Sequence, residues 1–293
     1  MSVLNPASKL TVSDSTNLRH PLTGKPDSGK ITDSARYPPQ PGRSMVVIII
    51  TGPGRSGTSF LAKLYVELGL DIGGQWYPEI SAGYERDVIV SINKAIMRDL
   101  GLRNLDLSHE SVVQVLMNLL PVRRLARSQR LKSLIYTLPG MTNGRPGHLR
   151  WERMDQVVEK YRPALIDLSR SHLVAKDPRF CFTLPVWVAA GIDIDHVLMT
   201  VRSFNGIVNS MTSIRHPFHS EGVVKNILAY GIGLCMSTIY EHRLSHNLIR
   251  FPDFLDHPEK LFCALRFPME VTKEEFLRVF ESIVRREFVH DRS

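Results

Sequence analysis

The chain has 293 residues, of which 43% are hydrophobic and 23% charged, so it is long enough to bury a globular core without disulfides. Its net charge of +8 favours anionic ligands. No run reaches the roughly 20 apolar residues of a membrane span, and no apolar h-region opens the chain, so a cytoplasmic protein without a secretory signal is expected. The three cysteines, Cys181, Cys235 and Cys263, have no metal-like spacing. Cys181 and Cys235 fall in apolar runs and read as buried, reduced thiols.

Residues 1–44 are rich in Ser, Thr, Pro, Gly and Asp and show no amphipathic period, which predicts a disordered tail. A folded domain is expected over 45–293, with Met45 standing just before its first strand. "MVVIIIT" is a continuous β-branched run, the pattern of a parallel strand covered on both faces. The spacing then predicts helices from Thr58 to Leu68 and from Asp87 to Leu100. Further helices are expected from Glu110 to Leu138, broken near Pro121, and from Arg153 to Ser169, with a kink at Pro163. "HLVAKDP" reads as a short strand, "TLPVWVAAG" as a helix and "DHVLMTVRS" as a buried strand. A helix from Val223 to His246, a strand in "NLIRFPDF" and an amphipathic helix in "TKEEFLRVFESIVRREF" complete the series. Strands separated by helices predict an α/β fold with a doubly wound, mostly parallel sheet and a ligand at the carboxyl ends of its strands.

"TGPGRSGTSF" joins the first strand to the first helix. From Gly52 to Ser59 it follows the phosphate-loop pattern G-x-x-x-x-G-K-[ST], except that Thr58 fills the lysine slot. Glycines at 52, 54 and 57 let the backbone approach a ligand, and the N–H groups of residues 56 to 59 are expected to face an anion at the helix N-terminus. The lysine of a nucleotide-hydrolysing loop reaches the β- and γ-phosphates while the next hydroxyl holds Mg²⁺. Thr58 carries no charge; the charge stands instead at Arg55. That substitution points away from a metal-bound triphosphate and toward a shorter 5′-phosphate group.

The loop resembles the 5′-phosphosulfate loop of sulfotransferases that use 3′-phosphoadenosine 5′-phosphosulfate (PAPS). Four more blocks share the resemblance. In "VRSFNGIVNS", Arg202 and Ser210 have the spacing of the family's 3′-phosphate ligands, an arginine at a strand end and a serine on the next helix. Ser203-Phe204 replaces the usual Asn/Asp-Pro. In "KDPR", Lys176 falls where the family places a lysine near the transferred sulfonate, while Asp177 and Arg179 suit an ion pair at the strand end. "AGYERDVIVSIN" is similar to a segment that supplies a glutamate base, here Glu85, with Asn93 eight residues on. Glu79 and the histidines His172, His196, His216 and His219 compete for that role. "LIRFPDFLDHPEKL" matches an architectural strand and helix. The family's C-terminal R-K-G and G-x-x-x-x-W-K elements are absent; Arg285 and Arg286 either replace them or lie on a solvated face.

The resemblance implies a P-loop sulfotransferase with PAPS as co-substrate and no metal. Gly54, Arg55, Ser56, Gly57, Thr58, Ser59, Arg202 and Ser210 would bind the donor, and Glu85, Lys176 and Arg55 would act in catalysis. The expected acceptor is a hydroxyl on a carbohydrate, glycolipid or small metabolite. The alternatives are a phosphate-loop kinase and an inactive protein that binds adenosine bisphosphate. Arg123, Arg124, Arg127, Arg130 and Lys132 form the densest basic group, a solvated face or a guide for an anionic acceptor. No aromatic residues interleave with it, so nucleic acid is not expected. Trp76, Tyr77, Trp151 and Tyr230 are candidates for stacking on an acceptor sugar or an adenine, or for packing.

Overall fold

The computed structural model describes residues 47–77, 82–102, 150–213 and 221–284. Outside them lie the expected tail, the expected helix over 110–138 with its basic group, Glu79, His216, His219, Arg285 and Arg286. In chain order the elements are β1 (Val47–Thr51), α1 (Thr58–Glu67), β2 (Trp76–Tyr77), β3 (Ala82–Gly83) and α2 (Asp87–Asp99). A 3₁₀ turn at Trp151–Arg153 leads into α3 (Met154–Ser171), then β4 (Val174–Lys176), α4 (Phe180–Ala189) and β5 (Ile194–Val201). The remaining elements are α5 (Phe204–Ser213), α6 (Glu221–Glu241), β6 (His246–Arg250), a 3₁₀ turn at Asp253–Leu255, α7 (Pro258–Ala264) and α8 (Lys273–Ile283).

β1 is buried at all five positions. Successive side chains of a strand point to opposite faces. Val47 and Ile49 therefore join one apolar cluster with α2, α3, α4 and α6, and Ile48 and Ile50 join a second with α1, α7 and α8. Helices thus cover both faces of the sheet, and the unbroken β-branched run follows from that double burial. α4 lies inside the first cluster and is apolar nearly all round, with eight of its residues buried from Phe180 to Trp187. α8 shows the opposite pattern. Phe276, Phe280 and Ile283 form its buried stripe, and the Thr272 hydroxyl caps it by accepting from the Glu275 N–H at 3.1 Å. α3 runs as one helix through Pro163.

The sheet order is β4-β1-β5-β6, and every pair is parallel. The fold is therefore α/β with a doubly wound parallel sheet, as the strand–helix alternation predicts. The register sets Ile50 beside Lys176, Thr51 beside Met199 and Val201 beside Arg250. All four strands consequently end at one edge. The chain leaves β1 for β4 on one side and returns past it to β5 on the other. A crevice at the carboxyl ends of β1 and β5 is the ligand position such a reversal creates. A small antiparallel pair, β2 with β3, was not expected; two-residue strands are too short to display a period.

Cys181 and Cys235 are free and buried, and Cys263 is free and exposed. Among the described residues no helix is long and apolar enough to cross a membrane.

The first loop glycine is demanded by the fold. Gly52 has φ +143°, and a Cβ there would lie 2.3 Å from the Thr200 carbonyl oxygen. At Gly54 a Cβ would meet nothing within 4 Å. We expect Gly52→Ala to cost on the order of 3 kcal/mol, read as a fall in the urea midpoint, and Gly54→Ala to leave that midpoint in place.

Candidate active site

The loop after β1 is held by its own hydroxyl. The Ser56 N–H donates to the Pro53 carbonyl at 3.1 Å, and the Ser56 hydroxyl donates to the same oxygen at 2.5 Å. Ser56 Oγ also lies 2.7 Å from Thr200 Oγ1 on β5. Ser56 is fully buried, so its hydroxyl and N–H secure the turn, and the donors facing the crevice begin at Gly57. That narrows the expected anion-facing set of residues 56 to 59. Gly57 has φ +100°, and a Cβ on it would meet the Phe251 ring at 2.8 Å. Thr58 and Ser59 open α1, where the first N–H groups of a helix lack intrahelical acceptors. The Thr58 side chain is buried in the slot where a phosphate-loop lysine would stand.

On the β5 side of the loop, three predicted anion ligands meet. Arg55, whose φ is +68°, donates from Nε to the Ser210 hydroxyl at 3.0 Å. Arg202 donates from Nη1 to the Arg55 carbonyl at 3.2 Å. Its guanidinium also stands over the Phe251 ring, 5.1 Å from the centroid. β5 ends just before Arg202, and α5 carries Ser210 back to the same edge. Burial, and then the neighbouring charge of Arg202, pushes the Arg55 guanidinium down from its ordinary pKa. Two like charges held this close favour an anion between them.

On the β4 side, Lys176 is 1% exposed and surrounded by acceptors. Its ammonium donates to Glu85 Oε1 at 2.7 Å, to the Gly83 carbonyl at 3.0 Å and to the Ser59 hydroxyl at 3.1 Å. Behind it lies a second layer. Arg179 Nη1 donates to Asp177 Oδ1 at 2.9 Å and pairs with Glu85 Oε2 at 3.6 Å. Asn93 donates to Asp177 Oδ2 at 2.9 Å. The Asn93 carbonyl oxygen accepts from Thr183 at 2.9 Å and from the Trp187 indole at 3.0 Å. Asp177 is wholly buried; burial pushes its carboxyl pKa up, and the Arg179 and Asn93 donors counter only part of that desolvation. Burial works to raise the Glu85 pKa, but Lys176 and then Arg179 outweigh it and hold the carboxyl below its ordinary range.

The structure therefore brings together Arg55, Arg202 and Ser210 in one cluster and Ser59, Lys176 and Glu85 in another, with the loop between them. Three contributors carry no readable signal in sequence. Phe251 follows β6 at the same sheet edge and supports both Gly57 and Arg202. Thr200 ties the loop to β5. The Gly83 carbonyl reaches Lys176 only because β3 lies beside the start of α1.

Among the histidine candidates described, His196 is buried. Its Nδ1 lies 2.8 Å from the Ser245 hydroxyl, and Asn247 donates to its Nε2 at 3.1 Å, so it packs β5 against β6. His172 follows the last turn of α3, and burial lowers its pKa. Trp76 stacks on Tyr84, with Lys63 4.9 Å from the Trp76 ring, and Tyr230 stacks on Phe182. Tyr77 and Trp151 are exposed. Among the described residues no group of three His, Cys, Asp or Glu side chains could hold a metal.

The Glu85 carboxyl has a lower pKa folded than unfolded. Its contribution to stability is therefore present above the unfolded pKa and lost as pH falls through the folded one. Glu85→Gln leaves Lys176 without its carboxylate. We expect this variant to be less stable than wild type at neutral pH, with the gap closing as pH falls below the ordinary carboxylate range, measured by urea unfolding from neutral to acid pH.

No family model matches the chain, and no curated protein matches it. Among solved structures, it is similar to the sulfotransferase domain from the Synechococcus PCC 7002 olefin synthase, at 13% identity and a TM-score of 0.33. The match spans 85% of this chain and 95% of that one. A likeness this distant carries no argument about the site.

Proposed function

We propose that this protein is a sulfotransferase that moves a sulfuryl group from PAPS to an acceptor hydroxyl on a carbohydrate, glycolipid or small metabolite. The observation that carries the reading is the placement of two polar clusters on either side of one glycine loop, at the strand ends where the sheet order reverses. The donor has two phosphates and a sulfonate, and the site has a matching division of labour. The N–H groups at the start of α1 and Arg55 face the 5′-phosphate. Arg202 and Ser210 hold the 3′-phosphate. Lys176 lies toward the sulfonate, beside the Ser59 hydroxyl.

Transfer is an in-line displacement at sulfur. The acceptor oxygen forms a bond to sulfur as the bond to the 5′-phosphate oxygen breaks, and adenosine 3′,5′-bisphosphate leaves with the electron pair. Charge builds on the leaving phosphate, where fixed donors stabilise it best. Arg55 and the loop N–H groups supply that stabilisation, with Lys176 at the bridging oxygen. Glu85 takes the acceptor proton. While Lys176 stays on Glu85, the carboxylate is a weak base. Engagement of Lys176 with the donor weakens the larger of the two cationic influences that lower the Glu85 pKa, Arg179 being the other, and makes the carboxylate a stronger one.

The tight hold on Lys176 also favours a second reading, in which the protein binds adenosine 3′,5′-bisphosphate without turnover. All three ammonium hydrogens already have acceptors within the fold.

Thermal-shift measurements with adenosine 3′,5′-bisphosphate, PAPS and Mg-ATP test the family of ligands, since a ligand of the folded state raises the melting temperature. We expect shifts with the first two. A shift with Mg-ATP alone would sink the proposal. Arg202→Ala is expected to weaken bisphosphate binding about tenfold or more. Glu85→Gln is expected to lower turnover by roughly 100-fold with bisphosphate affinity unchanged. A wild-type protein that binds the bisphosphate yet shows no transfer supports the second reading.

A further inference from the structure

The donor and acceptor roles above use Lys176 and Glu85 but leave the layer behind them without a task. That layer is costly. Asp177 and Asn93 are fully buried, Arg179 is 8% exposed, and a buried ion pair adds little net stability over apolar packing. Its members form one connected path. The indole of Trp187 and the hydroxyl of Thr183, both on α4, fix the Asn93 carbonyl oxygen. Its amide then fixes Asp177 Oδ2, so the Asn93 orientation is set from both ends. The other Asp177 oxygen accepts from the Arg179 N–H at 3.0 Å and from its guanidinium at 2.9 Å. The guanidinium in turn reaches the Glu85 oxygen that Lys176 does not hold.

Resting on the sulfotransferase reading, we infer that Arg179 is the positioning residue for Glu85: anchored on Asp177 and Asn93, it holds the carboxylate ionised and aimed while Lys176 engages the donor. Lys176 already spends its three hydrogens on Ser59, Gly83 and Glu85, so a bond from its ammonium to the donor must displace one of them, and turning to the donor weakens its hold on Glu85. Without a second cation, Glu85 would then sit partly desolvated with no partner. Arg179 comes from the N-terminal end of α4, whose residues from Phe180 to Trp187 are all buried. Among the described residues, the charged groups facing Glu85 are Lys176 from β4, Arg179, and Asp177 from the turn between them; from α1 the neutral Ser59 hydroxyl accepts from Lys176. Loss of the Arg179 charge therefore moves Glu85 toward protonation, opposed by Lys176.

The test compares R179Q and R179K with wild type in the full chain. The readouts are the pH profile of kcat/KM with PAPS, bisphosphate affinity, and the Glu85 carboxyl titration by carbon NMR, assigned with E85Q. In R179Q we expect the acid limb of the profile and the Glu85 titration to move to higher pH. We also expect kcat to fall by roughly tenfold, with bisphosphate affinity within about twofold of wild type. R179K keeps the charge but loses the planar fork. Its acid limb is expected to stay in place, with kcat between the other two. An acid limb and Glu85 titration unchanged in R179Q would overturn the inference. So would a wild-type kcat in R179K, and this second variant decides the matter if R179Q does not fold. Failure of the sulfotransferase reading looks different: wild type itself shows no transfer from PAPS, and the Glu85 titration then reports on Arg179 without any turnover.

Discussion

An ammonium group taken almost wholly out of water must find acceptors on every side, and Lys176 is such a group. Its three hydrogens reach a hydroxyl at the start of α1, a carbonyl of β3 and a carboxylate just before α2. Leaving a buried charge uncompensated costs several kcal/mol, about 3–5 when one partner of a pair is removed. The requirement therefore ties three separate pieces of chain, the start of α1, the Gly83–Glu85 segment and β4, to one atom. β4 can end where it does only if the loop, the small hairpin and the Glu85 segment close around it.

The close packing around that atom explains otherwise puzzling backbone choices. Gly74 lies against the Glu85 backbone, where a Cβ would come within 2.3 Å of the Glu85 carbonyl oxygen. Gly83 meets the Gln75 carbonyl in the same way, and Tyr84 takes φ +58° between Gly83 and Glu85. A second strained residue, Arg55, stands on the other side of the loop. Left-handed backbone at residues with side chains concentrates where a site over-determines the chain. Two of the three instances among the described residues lie at the candidate site, Arg55 itself and Tyr84 before Glu85; the third, Arg243, follows α6.

The two clusters divide the crevice electrically. On the β5 side, Arg55 and Arg202 bring two positive charges together beside Ser210. On the β4 side, Lys176 and Arg179 are balanced by Glu85 and Asp177. Under the proposed function, the donor anion engages the first cluster and proton transfer falls to the second. The loop between them is stiffened by Ser56 and Thr200, so the distance between anion and base is a property of the sheet and its register. Such preorganisation lets fixed donors act without rearranging during a reaction.

Much of the fold was readable from local pattern. The β-branched run of β1, the apolar stripe of α8 and the alternation of strands with helices each follow from periodicity, which needs only neighbouring residues. The loop was readable because a strand, spaced glycines and a helix start lie together in sequence. The short β2–β3 pair left no trace, since two residues cannot show a period. The partners inside the site were harder to read. Arg55 and Ser210 are 155 residues apart, and Thr183 and Asn93 are 90 apart, so their meeting depends on strand order and crossover rather than on local preference. Sequence alone determined which residues could carry charge to the strand ends. The tertiary structure decided that Ser56 would spend its hydroxyl on the turn, that Phe251 would lie beneath Arg202, and that Glu85 would share its two oxygens between Lys176 and Arg179. Hydrogen bonding and desolvation depend on what surrounds a group in space, and only the packed sheet supplies those surroundings.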